Sequence, residues 1–372
     1  VIYLDNAATT IVYKEVVLQI AKTLEECYGN PSSLHSLGLK AENIISDARE
    51  EIANTLGAKK DEIYFSPSGT IANNTAILGY LKRNKRAGNK IFCSSVEHPS
   101  VYNVFMELKK AGYEVLEVPI IDYDLDYEFL EKNADDKTAL ISVMNVNNET
   151  GAIFDIKKIK NIVTKKNLKT VIHSDCIQSY MKLPINVREF GADLITFSAH
   201  KIGGAKGIGG LYVSSKINIE PIYYGGGQEK TLFSGTENVA NIAGFLKAVK
   251  INKKENIMRK IAELSKIFLE KLDNEIVVNR KNENSISSII NISFNQRSEI
   301  VLHLLESMGV IVSSGSACYQ KKGERNRVLK GFCVSNENQD RAIRISIGHH
   351  NTMDEILFCS EKINELYRKF II

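Results

Sequence analysis

The sequence predicts an α/β fold with a mostly parallel central sheet, and three observations carry that expectation. Short β-like runs alternate along the chain with amphipathic helical stretches, the order expected of strands joined by crossover helices. Runs such as Ala139-Leu140-Ile141-Ser142-Val143 are apolar on both faces, which suits central strands covered by helices on either side. Polar and glycine-bearing segments follow several of these runs, at the edge where open α/β sheets bind ligands.

Strands are expected at residues 62–66, 90–94, 113–118, 138–144, 170–173, 194–198 and 210–213. Between them lie helical stretches at 39–56, 71–81, 101–111 and 156–166. In the first of these Ile44, Ala48, Ile52 and Leu56 recur at fourfold spacing, one face of a helix. Asp155 stands where it would cap the last. Beyond about Asn241 the character changes. A long helix is expected at 240–272, with a break near Asn252. After it come a strand at 288–294, a helix at 300–308, strands at 310–313 and 342–346, and a helix at 353–370. The expected organisation is a large domain over residues 12–250 and a smaller α+β domain built from 1–11 and 251–372.

Of the 372 residues, 44% are hydrophobic and 25% charged, ordinary for a globular protein with a sizeable core. The formal net charge of +4 is too mild to argue for nucleic acid, because the lysines are scattered among glutamates. Lys157-Lys158 and Lys165-Lys166 are expected to face water. No apolar run reaches the roughly 18 residues of a membrane span, and the opening Val1-Ile2-Tyr3-Leu4-Asp5 carries no basic n-region or cleavage site, so no secretory signal is expected. Six dispersed cysteines with no C-x-x-C pair argue against a disulfide scaffold or a zinc site, and a cytoplasmic location is expected.

Chemistry concentrates in Ser198-Ala199-His200-Lys201, which follows an apolar run and precedes a glycine-rich loop ending at Gly210. A lysine so placed suits a carbonyl cofactor held as a Schiff base, with Ser198 and His200 able to reach an attached phosphate. Asp175 lies upstream in Ser174-Asp175-Cys176-Ile177-Gln178, at a strand end. An aldehyde-binding lysine and an aspartate facing a pyridinium nitrogen are the two groups a pyridoxal phosphate enzyme must supply.

Other segments carry two readings each. Ser68-Gly69-Thr70 closes a strand and opens a helix, either as a phosphate cup or as a simple N-cap. His98 could stack on a ring and shuttle protons, or it could be a loop histidine paired with Glu97. Asn147-Asn148-Glu149-Thr150-Gly151 offers amides to a ligand but is also ordinary turn composition. Arg344, inside the apolar run 342–347, calls for a substrate carboxylate or a structural ion pair. Cys318, in Ser313-Ser314-Gly315-Ser316-Ala317-Cys318 and followed by Lys321 and Lys322, has the surroundings of a reactive thiolate; the alternative is an inert loop cysteine. Cys93, Cys176 and Cys359 are expected in the core.

Taken in order, these motifs resemble the cysteine desulfurases of the NifS/IscS type, within the class-V aminotransferase group of fold-type I pyridoxal phosphate enzymes. The resemblance spans essentially the whole chain. It rests on Tyr3-Leu4-Asp5-Asn6-Ala7-Ala8-Thr9-Thr10, Gly29-Asn30-Pro31-Ser32-Ser33, Glu97-His98, Asn147 to Gly151, Ser198 to Lys201, Gly225-Gly226-Gly227-Gln228-Glu229, Ser234-Gly235-Thr236 and Ser313 to Cys318. It implies that Lys201 carries pyridoxal 5'-phosphate, Asp175 faces the pyridinium nitrogen, Gln178 the ring oxygen, and His98 stacks on the ring and assists proton transfer. Gly69, Thr70, Ser198 and His200 would bind the phosphate, joined by Thr236 from the other subunit of a homodimer. Asn148 and Arg344 would orient the carboxylate of L-cysteine. Cys318 would take the sulfur as a persulfide and pass it to an acceptor protein, an iron–sulfur scaffold or a tRNA thiolation enzyme.

Two positions depart from the family pattern. Ile71 replaces a glutamate after Thr70, and Phe233 replaces an arginine before Ser234-Gly235-Thr236, a loss that Lys230 could offset. They motivate a non-catalytic paralogue as an alternative; selenocysteine lyase is the other. The basic stretch 321–327 is a candidate docking site for the acceptor.

Overall fold

The computed structural model describes residues 1–314 and 326–370. At its centre is a seven-stranded sheet in the order Ile63–Ser66, Gly209–Val213, Leu194–Ser198, Val171–Asp175, Thr138–Ser142, Lys90–Ser94, Glu114–Val118. Every neighbouring pair is parallel except the two made by Gly209–Val213, which runs against both its partners. Gly210 permits this insertion, because a Cβ there would lie 2.2 Å from the Phe197 ring on the adjacent strand. Since Gly209–Val213 is antiparallel to both sides, Ile63–Ser66 points the same way as the parallel strands. The carboxyl ends of six strands therefore share one edge.

Connections from Lys90–Ser94 step outward to Glu114–Val118, whereas those from Thr138–Ser142 step the other way to Val171–Asp175 and Leu194–Ser198. The reversal opens a crevice at that shared edge, the switch point where such sheets hold ligands. Both faces of the sheet are covered. Ser36–Leu56 and Val239–Lys254 pack together on one core with Ile52, Phe197 and Phe245, and Gly69–Arg83 and Pro99–Lys110 bury Ile77, Tyr80 and Phe105 in another. Two-sided burial explains why all five residues of Thr138–Ser142 and of Leu194–Ser198 are buried.

Several boundaries differ from the sequence reading. The strand expected at 170–173 runs to Asp175, and that at 138–144 ends at Ser142. The helix Lys14–Glu26 was not expected. Val16, Ile20 and Leu24 recur in it at fourfold spacing, yet only Val16 and Thr23 are buried while Val17, Leu18 and Leu24 are exposed. The break expected near Asn252 in the stretch 240–272 is present three residues on, at Glu255 and Asn256, between the helices Val239–Lys254 and Ile257–Lys271. Asn252 does not break the first, because its amide donates to the carbonyls of Ala248 and Ile202 at 2.8 Å each. Asp155 caps Ile156–Lys165 through Lys157 N and Lys158 N.

A second apolar core gathers Leu4, Leu264, Phe268, Ile292, Ile345 and Ile363. It is built on an antiparallel sheet of Val277–Val278, Ile289–Ser293 and Ala342–Ser346, with Ile2–Tyr3 paired in parallel to Val310–Ile311 alongside. Val328, Leu329 and Phe332 instead bury in the core of the large sheet, where Phe332 stacks 5.4 Å from Tyr123. Cys93, Cys176 and Cys359 are buried and Cys333 is exposed. Among the described residues, no helix is long and apolar enough to cross a membrane.

Candidate active site

A cavity of about 670 Å³ occupies the crevice at the strand ends. Gly69, Thr70, His98, Asn148, Asp175, Gln178, Ser198, His200, Lys201 and Arg344 all line it. Thr236 does not; it lies exposed on a surface loop. Cys318 lies outside the described residues, as does most of the basic stretch 321–327. Ser313, however, stands in the cavity wall and exchanges two backbone hydrogen bonds with Arg344, at 3.1 and 2.6 Å.

The helix Gly69–Arg83 begins at the cavity. Ser68 is its N-cap, accepting from Ile71 N at 3.2 Å, so the cap expected at this point is present. Gly69 lets the helix start lie against the next loop, because a Cβ there would meet Ile177 Cδ1 at 2.3 Å. The backbone N–H groups of this first turn carry the partial positive charge of a helix start beside Ser198 and His200. Ser198 Oγ makes only a long bond to Ile208 O, at 3.4 Å, and is available to a phosphate.

Asp175 ends its strand with a buried carboxylate. Its Oδ1 accepts from Ile177 N at 2.9 Å and its Oδ2 from Asn73 Nδ2 at 2.8 Å. Asn73 also donates to Ser100 Oγ at 2.9 Å, and that hydroxyl pairs with His98 Nδ1 at 2.8 Å. One network thus joins the aspartate to the histidine. His98 is the N-cap of Pro99–Lys110, and desolvation holds its proton affinity below the ordinary histidine value despite the Asp175 charge.

Lys201 stands in a single 3-10 turn directly after Leu194–Ser198. Its Nζ donates to Ala7 O and Ala8 O at 2.6 Å each. Burial, then repulsion from Arg344 and Lys182, lowers its pKa to about 7 against the attraction of Asp5 and Asp175. Burial and the Lys201 charge likewise hold His200 down to about 3, so its ring is neutral. Gln178 turns its amide nitrogen to Ala7 O at 2.9 Å.

Of the two readings of Arg344, the ion pair exists: Nη2 donates to Asp5 Oδ1 at 2.8 Å, and Nη1 to Asn148 O at 2.9 Å. Its Nε and the Asn148 Oδ1 are buried without a hydrogen-bond partner, an arrangement that disfavours an empty site and suits a polar ligand. Deprotonatable lysine, buried aspartate, helix start and unpaired polar atoms together fit pyridoxal phosphate and an amino-acid carboxylate.

Glu97 is not the partner of His98. It is fully buried, with Oε1 accepting from Ser94 Oγ and Met144 N and Oε2 unpartnered. Desolvation raises its pKa from 4.5 to about 8. A folded carboxyl that binds its proton more tightly than the unfolded one loses stability as pH rises between those two values. Between pH 5 and pH 8 the Glu97 carboxyl alone should cost about 3 kcal/mol of stability; Glu149, which burial raises to about 7, adds to that loss, and His173 and His200, lowered to about 3, oppose it. In urea unfolding Glu97→Gln should remove the Glu97 loss relative to the parent, and an unchanged pH dependence in the variant would refute the assignment.

Asn73, Asp5, Ser100 and Lys182 were missed in the sequence. Asn73 left a signal, an amide wholly buried on the apolar face of a helix. The departures are also accounted for in part. Phe233 is buried in the same apolar cluster as Tyr80 and Phe105, and Ile71 packs against that cluster. Lys230 donates to Asp61 O at 2.8 Å and lies over the Tyr64 ring.

Residues 2–358 match the aminotransferase class-V family. A cysteine desulfurase IscS from Dictyoglomus turgidum is 37% identical over 99% of this chain and 95% of its own length. Among solved structures, a NifS-like protein superposes with a TM-score of 0.93 at 32% identity, covering 99% of both chains. SspA, solved in complex with cysteine, matches at 31% identity and a TM-score of 0.84 over 95% of this chain and all of its own. With the fold, the lysine and the aspartate in place, the chain belongs to the class-V aminotransferase family and, within it, to the pyridoxal-phosphate-dependent cysteine desulfurases.

Proposed function

We propose that this protein converts L-cysteine to L-alanine and leaves the sulfur as a persulfide on Cys318. The observation that carries the reading is Lys201, an amine of lowered proton affinity in one cavity with Asp175 and Arg344. Pyridoxal phosphate, when bound, supplies a ring that stores the electron pair released at the substrate α-carbon. Lys201 would hold the cofactor and, released from it, would take the α-proton at Nζ. Asp175 would keep the ring nitrogen protonated, Gln178 would bond the ring oxygen, and His98 would stack on the ring and serve as a proton relay. Gly69, Thr70, Ser198 and His200 would hold the phosphate, joined by Thr236 of a second copy in a homodimer.

Asn148 and Arg344 orient the substrate carboxylate. The Cys318 thiolate attacks the substrate sulfur. The carbon–sulfur bond breaks with its electron pair left on carbon, that carbon takes a proton, and alanine leaves. An acceptor protein in the cytoplasm then receives the sulfur, for iron–sulfur cluster assembly or tRNA thiolation. The test is product analysis with the cofactor-loaded protein, L-cysteine and a dithiol reductant. Alanine and sulfide in equal amounts are expected; a loaded protein that forms no alanine would refute the reading.

A further inference from the structure

Below Lys201 lies a second inward-turned amine for which the reaction as described has no use. Lys182 follows Met181, a non-glycine residue held at φ 60°, a left-handed conformation that costs free energy and tends to mark functional positions. Lys182 lines both a small internal cavity shared with Lys201 and an outer groove beside Tyr180, Lys253 and Glu255. Among the described residues it forms no ion pair. Its Nζ donates to Gln178 Oε1 at 3.3 Å; Gln178 Nε2 donates to Ala7 O at 2.9 Å; and the same carbonyl accepts from Lys201 Nζ at 2.6 Å. Three hydrogen bonds thus join the two amines.

We infer that Lys182 is a positioning residue that keeps the Lys201 amine in its free-base form through Gln178 and the Ala7 carbonyl. This rests on the role proposed for Lys201, which must be neutral when released if it is to take a proton. The charges facing Lys201 are Arg344, Lys182, Asp5 and Asp175, with His98 and His200 held neutral by burial. Arg344 is paired with Asp5. The Asp175 charge, which favours a protonated Lys201, is then opposed by Lys182. Two carbonyl acceptors, Ala7 O and Ala8 O, also match the two hydrogens of a neutral amine and leave its lone pair uncommitted. Lys182 is itself lowered to about 8, by burial and then by Arg344; for it to act as the cation in this pair, Lys201 must lose its proton first.

The experiment compares the cofactor-loaded protein with its Lys182→Met and Lys182→Arg variants. Borohydride reduction and peptide mapping first locate the attachment; a lysine other than 201 would overturn the reading of Lys201 itself. The absorbance of the bound cofactor is then titrated with pH. Loss of the cation in Lys182→Met should raise the transition by about one pH unit, and Lys182→Arg should leave it within about a third of that shift. No rise in Lys182→Met, or an equal rise in Lys182→Arg, would overturn the inference. A third arm needs no variant. Trace acetylation of the wild-type protein freed of cofactor, read by peptide mass spectrometry across pH, should show Lys201 losing its proton before Lys182; the reverse order would overturn the inference.

Discussion

Lys201→Ala is expected to lower alanine formation from L-cysteine by about 10⁴-fold or more, because the proposed function has one amine both anchor the cofactor and move the α-proton. Two further readouts separate that loss from misfolding. Borohydride should no longer fix the cofactor to the chain, and thermal unfolding of the cofactor-free variant should not fall below that of the cofactor-free parent. The second expectation follows from the environment. The parent holds an amine whose pKa burial brings to about 7, bonded to the carbonyls of Ala7 and Ala8. Removing it relieves desolvation while leaving two acceptors that water can reach through the cavity. Retained activity within tenfold of the parent would refute the role.

Cys318→Ala should abolish sulfide release by on the order of 10³-fold or more while sparing everything upstream of the thiol. The variant should bind the cofactor as the parent does, and the cofactor's absorbance should still respond when L-cysteine is added. The division follows from where the residues stand. Lys201, Asp175, His98 and Arg344 all belong to the cavity wall, where their side chains bond to Ala7, Asn73, Ser100 and Asp5 respectively. Sulfide release at the parental rate would move the persulfide to another thiol, with exposed Cys333 the first to examine.

Much of this site could be read from the chain because a parallel sheet delivers its working residues just past strand ends. Asp175, Ser198, Lys201 and His98 each follow an apolar run that is unmistakable in sequence. Their supports were hidden for the opposite reason. Arg344 finds Asp5 at a separation of 339 residues, and Asn73 finds Asp175 at 102, distances over which no periodicity speaks. The direction of Gly209–Val213 was equally silent, since an apolar strand reads alike whichever way it runs. The helix Lys14–Glu26 was legible in the fourfold spacing of Val16, Ile20 and Leu24 and was missed.

The Gly69–Arg83 helix has one more consequence. Its first turn, at Gly69 and Thr70, lines the cavity where the proposed function would seat the phosphate, and Asn73, one turn on, grips Asp175. Four residues of helix rise about 6 Å, so a single rigid rod sets the span between that first turn and the grip on Asp175. A tilt of that rod carries both grips together and preserves the span, whereas two loops would have let it drift. The helix is a gauge block, and a ligand is measured against it before any chemistry begins.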